Sequence, residues 1–184
     1  MLNRRGFDEH AARELAHAGR DGRQIALATF DIDHFKQIND EHGHVVGDWV
    51  LVHIARLLSS ESRGIDVAAR FGGEEFAVLM PGSDHAGAEA FAERVRRALA
   101  KHACPDLPDV RVSAGVTATT VPIALELMLD RVDQALYAAK RGGRDRTVGF
   151  EAPAVWMAAS PVFARRSRLP SRSATRGRRQ PARG

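Results

Sequence analysis

Apolar residues recur at helical spacing at Ala11, Ala12, Leu15 and Ala18, which predicts a first helix over residues 8–18. A continuous apolar run, QIALATFDI at 24–32, then reads as a buried strand that ends in charge. Trp49, Val50, His53, Ile54, Leu57 and Leu58 follow with the period of an amphipathic helix, with Asp48 placed as its N-cap and a stop near Glu61 to Gly64. Two short apolar runs, Asp66 to Phe71 and Glu75 to Met80, are separated by Gly72-Gly73, a spacing that predicts a hairpin with a tight turn. Pro81-Gly82-Ser83-Asp84 ends that hairpin and caps a helix whose inner face carries Ala88, Phe91, Val95, Ala98 and Leu99. VRVSAGVT at 110–117 is another strand. Leu125 to Lys140 is a helix with Leu129, Val132, Leu136 and Tyr137 on one face, closed by Gly142-Gly143, and residues 146–150 supply a final edge strand.

The order is helix, strand, helix, hairpin, helix, strand, helix, short strand. A hairpin in the middle excludes a purely parallel doubly wound sheet. The fold expected is therefore α+β, with helices packed on a central, mostly antiparallel sheet.

With 184 residues and 44% hydrophobic content, the chain suffices for one domain with a real core. No apolar run approaches the roughly 20 residues of a membrane span, and the N-terminus lacks the pattern of a secretory signal. The single cysteine, Cys104, cannot form an internal disulfide, so the expected location is the cytoplasm. Charge is unevenly placed. From Glu151 onward there are eight arginines and one acid, a net +7, so the whole-chain +4 leaves −3 for residues 1–150. The boundary is therefore placed at 150, and residues 151–184, rich in Arg, Pro and Ser, are expected to be a disordered tail. A solvated extension is the simpler reading of that tail; a phosphate-binding arm competes with it.

Acidic residues gather at the ends of predicted strands: Asp31 and Asp33 flank Ile32, and Glu74-Glu75 follows the glycine pair. If the first strand lies beside the hairpin, Asp31 and Glu74 converge. Carboxylates held together repel unless a divalent cation neutralises them, and oxygen ligands suit Mg²⁺ or Mn²⁺. Lys36 nearby, with Lys140 and Arg144 around the second glycine pair, offers cations for phosphates. Together these groups point to metal-assisted phosphoryl or nucleotidyl transfer. No GxxxxGK[ST] phosphate loop occurs. Each feature also has a plainer explanation: a solvated turn for the DxD, a hairpin tip for GGEE, and helix-dipole complementarity for Lys140 and Arg144. His34, His42 and His44 invite a zinc site, but no cysteine accompanies them and their spacing is loose.

Four ordered blocks, NRRGF at 3–7, FDIDHFKQINDEHGHVVGD at 30–48, RGIDVAARFGGEEF at 63–76 and DQALYAAKRGGRD at 133–145, resemble the GGDEF family of diguanylate cyclases. The resemblance runs from Leu2 to about Phe150. It implies a fold similar to the palm of polymerases and nucleotide cyclases, with a ferredoxin-like core. It implies condensation of two GTP into cyclic di-GMP with release of two pyrophosphates, on Mg²⁺ or Mn²⁺, in a homodimer. Carried over by position, Asp31, Glu74 and the Ile32 carbonyl hold metal, with Glu74 and Glu75 assisting at the catalytic centre. Asn39 and Asp48 hydrogen-bond guanine. Lys140 and Arg144, with the backbone around His34, Phe35 and Lys36, contact the phosphates.

Arg63-Gly64-Ile65-Asp66 fits the family's RxxD product-inhibition site, with Arg94 as a second contact; a surface salt bridge is the plainer reading. The family usually has a DxLTGL segment ahead of NRR, whereas this sequence begins at Met1-Leu2, so the domain is expected to be N-terminally truncated. Asp145 stands where asparagine is common. The competing function is a weakly active or inactive domain that serves as a cyclic di-GMP receptor. No specific nucleic-acid partner and no membrane segment are expected.

Overall fold

The N-terminal helix starts earlier than its apolar spacing suggests, because Asn3 caps it: the Asn3 side chain accepts the Gly6 N–H at 2.9 Å. The computed structural model describes residues 1–101, 107–120 and 122–150. The expected disordered tail therefore lies outside the described residues. Met1–Phe150 forms one compact unit.

The elements are β1 (Leu2–Asn3), α1 (Arg4–Asp21), β2 (Ile25–Ile32), α2 (Phe35–His42), α3 (His44–Glu61), β3 (Val67–Arg70), β4 (Glu75–Pro81), α4 (His85–Lys101), β5 (Val112–Thr119), α5 (Leu125–Arg141) and β6 (Thr147–Gly149). They build one six-stranded sheet in the order β1-β3-β4-β2-β5-β6. The three central ladders, β3/β4, β4/β2 and β2/β5, are antiparallel, and the two edge ladders are parallel. The α+β expectation holds. The pattern missed β1, two residues long, and α2, which occupies Phe35–His42 between the end of the first strand and the next expected helix.

Helices cover both faces of β2, which is why all eight of its residues are buried and no alternation shows in the sequence. Ala26, Ala28, Phe30 and Ile32 pack with α2, α3 and α4, where Phe30 meets Phe91 edge-on. Ile25 and Leu27 face the other way and pack with Phe7, Leu15, Met128 and Val132 of α1 and α5. Gly115 lets α5 lie close on β5: a Cβ there would overlap the Val132 carbonyl and the Leu136 amide nitrogen.

Several helix faces differ from expectation. Helix α3 begins at His44, so Asp48 lies within it and does not cap it. Trp49 (54% exposed) and Tyr137 (61% exposed) lie outside the core, as does Ala12, and Ala98 is only half-buried. Gly47, Val50, Leu51, Ile54 and Leu58 form the inner face of α3; Met128, Val132, Ala135, Leu136 and Ala139 form that of α5. The large aromatics fit the helical period but fall on the flank of the buried stripe.

Candidate active site

Asp31 occupies the last turn of the pleat on β2, on the same side as Thr29 and therefore on the α1/α5 side. Strand β4 places Glu75 directly opposite it, and β5 places Ser113 on its other flank. Its carboxylate is almost fully buried, and Lys140 of α5 reaches it at 2.7 Å from Nζ to Oδ2. Buried charge needs such a partner, and a lysine with a third of its side chain still in solvent supplies it at low desolvation cost.

Glu74 comes from the hairpin tip. The turn spans Gly72, Gly73 and Glu74, because Phe71 N–H donates to the Glu75 carbonyl at 2.8 Å. The tip is therefore one residue longer than the expected Gly72-Gly73 turn. Arg70 fastens it by donating to the Gly72 and Gly73 carbonyls at 3.0 and 2.7 Å. The Glu74 carbonyl accepts the Ile32 N–H at 3.3 Å, which ties the tip to the end of β2. Burial, then the Asp31 carboxylate, pushes the Glu74 carboxyl above the ordinary range; Lys140 acts in the opposite direction, and Glu75 adds a further upward push. Asp31 and Glu74 are thus brought into one electrostatic neighbourhood that holds more negative charge than Lys140 offsets.

Asp33 does not join them. Its carboxylate accepts the Ser113 hydroxyl at 2.7 Å and the Asp145 N–H at 3.0 Å. His34, in the left-handed conformation, opens α2; Phe35 is buried and Lys36 exposed, with no ion pair for Lys36 among the described residues. Asn39 of α2 lies half-buried against α3, where Gly47 leaves room for its side chain, and Asp48 follows at the surface. Arg144 is exposed in the turn after α5.

His34, His42 and His44 do not assemble: among the described residues no group of three or more His, Cys, Asp or Glu side chains is placed to hold a metal. Arg63 and Asp66 lie at the other end of the sheet. The Arg63 guanidinium meets Asp66 at 2.8 Å, the Ser83 hydroxyl at 2.8 Å and the Pro81 carbonyl at 3.3 Å. Pro81 pairs with Ile25, and the six residue steps along β2 from there to Asp31 amount to about 20 Å. Arg94 pairs with Glu61, at the end of α3 and two residues ahead of Arg63. Sequence reasoning missed Arg70 and Ser113 altogether, since an arginine or serine within an apolar strand carries no periodic signal.

The profile described as "Diguanylate cyclase, GGDEF domain" matches residues 1–146. The chain belongs to the GGDEF family. Among relatives, it is 46% identical over 151 residues to "Diguanylate cyclase DgcP" of Pseudomonas aeruginosa, covering 79% of this chain and 22% of that protein. It is 40% identical over 150 residues to "Probable diguanylate cyclase DgcC" of Escherichia coli, covering 80% and 40%. It thus spans between about a fifth and two-fifths of these two relatives. Among solved GGDEF structures, the "active GGEEF domain of a diguanylate cyclase from Vibrio cholerae" superposes with a TM-score of 0.78 at 32% identity, covering 83% of this chain and 99% of that one. The GGDEF domain of DgcB from Caulobacter crescentus, in complex with c-di-GMP, gives 0.77 at 35% identity, covering 82% and 91%. The palm-like fold is shared with these neighbours. Among the described residues no helix is long and apolar enough to cross a membrane.

Proposed function

We propose that this GGDEF domain condenses two GTP molecules into cyclic di-GMP, releasing two pyrophosphates. The observation that supports the proposal is the backbone tie from the Ile32 N–H to the Glu74 carbonyl, which brings the acidic hairpin tip to the end of β2, where Asp31 pairs with Lys140.

That donor set fits a divalent cation. Both acids offer hard carboxylate oxygens, and burial first, then the neighbouring Asp31 carboxylate, disfavours the charged form of Glu74. Few protein ligands suit Mg²⁺ or Mn²⁺, which complete their shell with water and substrate phosphates. Asp31, Glu74 and the Ile32 carbonyl would hold the ion, which supplies polarisation of the α-phosphate and neutralises charge on the departing pyrophosphate.

The remaining roles fall to the chain itself. The Asp48 carboxylate accepts hydrogen bonds from guanine and the Asn39 amide can accept and donate, so that adenine would leave them unpaired. Lys36, Arg144 and the amides of His34 to Lys36 bind the phosphates, and Lys140 bridges between these and Asp31. The 3′-oxygen of one GTP attacks the α-phosphorus of the other; a P–O bond forms as the bond to the β-phosphate oxygen breaks. Glu74, with Glu75 assisting, receives the 3′-hydroxyl proton. One domain holds one GTP, so two domains must meet face to face, and the catalytic unit is a homodimer. Arg63 and Asp66, with Arg94, form a product-binding site remote from the acids, through which cyclic di-GMP inhibits.

The deciding experiment incubates concentrated protein with GTP and Mg²⁺ or Mn²⁺ and measures cyclic di-GMP. Product is expected from wild type and none from Glu74→Ala. Turnover persisting in that variant would refute the metal and proton roles of Glu74, whereas cyclic di-GMP binding without any wild-type turnover would mark a receptor.

A further inference from the structure

Asp33, the second acid of the DxD, has no part in the chemistry above, yet it is only 6% exposed and fully engaged. Its Oδ1 accepts the Ser113 hydroxyl at 2.7 Å and its Oδ2 accepts the Asp145 N–H at 3.0 Å, while its own N–H donates to the Arg111 carbonyl at 2.9 Å. Asp145 belongs to the turn joining α5 to β6. There, Arg144 (φ 62°) and Asp145 (φ 44°) are consecutive non-glycine residues in the left-handed region. A side chain crowds the backbone in that region, so two in a row persist only where the surroundings hold them.

The surroundings do so from three sides. The Asp145 carboxylate accepts from Arg96 at 2.9 Å and from Arg111 at 3.2 Å. Arg96 is itself fixed by Glu93, and these two carboxylates raise the pKa of its guanidinium, Glu93 the more. The Arg144 N–H donates to the Ala139 carbonyl at 3.1 Å. Yet the Arg144 side chain, at the centre of this constrained turn, is exposed and has no ion pair among the described residues. The fold thus spends a buried carboxylate and two arginines on fixing the backbone beneath one unengaged cation.

We propose that Asp33 is a positioning residue for the nucleotide's terminal phosphates: through the Asp145 amide it fixes the left-handed turn that sets where Arg144 leaves the backbone, four residues beyond Lys140 and past the end of α5. This rests on the assignment of Arg144 to the phosphates. With the latch released, the turn relaxes to negative φ and Arg144 is redirected, while guanine recognition on α2 and α3 is untouched.

The test titrates the full chain, with Mg²⁺, against a non-reactive GTP analogue bearing a methylene between the α and β phosphorus atoms, and separately against GMP. Asp33→Asn keeps the size but places an amide N–H₂ against one of two donors. Its affinity for the analogue is expected to fall about tenfold, with GMP affinity held within about twofold. Equal losses for both ligands, or no loss, would overturn the proposal, since a merely structural role weakens both together. Asp145→Gly tolerates positive φ and removes only the Arg96 and Arg111 contacts; a smaller loss of the same selectivity is expected. If Asp33→Asn does not fold, Asp145→Pro, which lacks the latched N–H and holds φ negative, takes its place, and an unchanged analogue-to-GMP ratio there overturns the proposal. Arg144→Ala separates the two levels. A wild-type ratio there removes the phosphate role of Arg144, whereas a lost ratio there with none lost in Asp33→Asn removes the latch alone.

Discussion

Lys140 on α5 and Asp31 at the end of β2 form an ion pair of 2.7 Å in which the acid is almost wholly buried and the lysine one-third exposed. The pair joins a cation at the bottom of the site to the acid that the proposed chemistry needs for metal. Lys140 therefore stands where a divalent ion would deliver its charge, and the two compete to neutralise Asp31.

Lys140→Met tests this. Removing the lysine strands a buried carboxylate, but partial exposure tempers the cost to about 1–2 kcal/mol, or roughly 2–8 °C in Tm. Thermal unfolding with and without Mg²⁺ or Mn²⁺ is the measurement. The ion should raise the Tm of the variant more than that of wild type, because binding to the folded state alone stabilises it. Equal shifts would show that the ion binds elsewhere.

The raised Glu74 pKa gives a pH signature. Between the unfolded and folded pKa values the native state holds more protons than the unfolded chain, so stability falls as pH rises through that window. Glu74→Gln removes this and should melt higher than wild type near neutral pH without added metal. The difference should vanish as pH falls below the ordinary carboxylate pKa. A variant less stable at neutral pH would mean that burial and the neighbouring acids do not disfavour the charged Glu74.

Arg63→Ala should fold, because the buried Asp66 carboxylate keeps the backbone N–H of residue 63 at 2.7 Å, leaving a loss of about 1 kcal/mol. Initial synthesis of cyclic di-GMP should continue, and the slowing caused by added product should disappear. Progress curves with and without added product report this, and unchanged slowing would remove Arg63 from inhibition.

Gly47→Ala isolates guanine recognition. A Cβ would overlap the Asn39 side-chain oxygen and lie 3.0 Å from its Cγ, so the amide must swing away, while the helix gains about 0.5–1 kcal/mol in propensity. Stability should hold or rise while preference for GTP over ATP in binding drops about tenfold, since base choice rests on that hydrogen-bonding edge. Retained preference would show that Asn39 does not read the base.

Much of this was legible in the sequence. The buried run at 24–32, the GGEE hairpin and the Gly142-Gly143 helix stop all carry local signals, and each element is present. Asp48 misled as a cap because an acid before an apolar run looks the same whether it opens a helix or sits a turn inside one; α3 begins at His44 with no side-chain cap. Trp49 and Tyr137 misled because a period fixes a stripe but not its width. Helix α2 was hidden because its eight residues bury only Phe35 and Ile38.

The sequence by itself determined the kinds of element, their order and the chemical groups available, because propensity and periodicity act over a few neighbours. Only the tertiary structure decided which groups act together. Asp31 and Asp33, two residues apart, part company: one meets Lys140, and the other meets Ser113 and the Asp145 amide. Partners so distant along the chain are chosen by strand register and by the helix that each sheet face receives, and neither is written in the residues adjoining the acids.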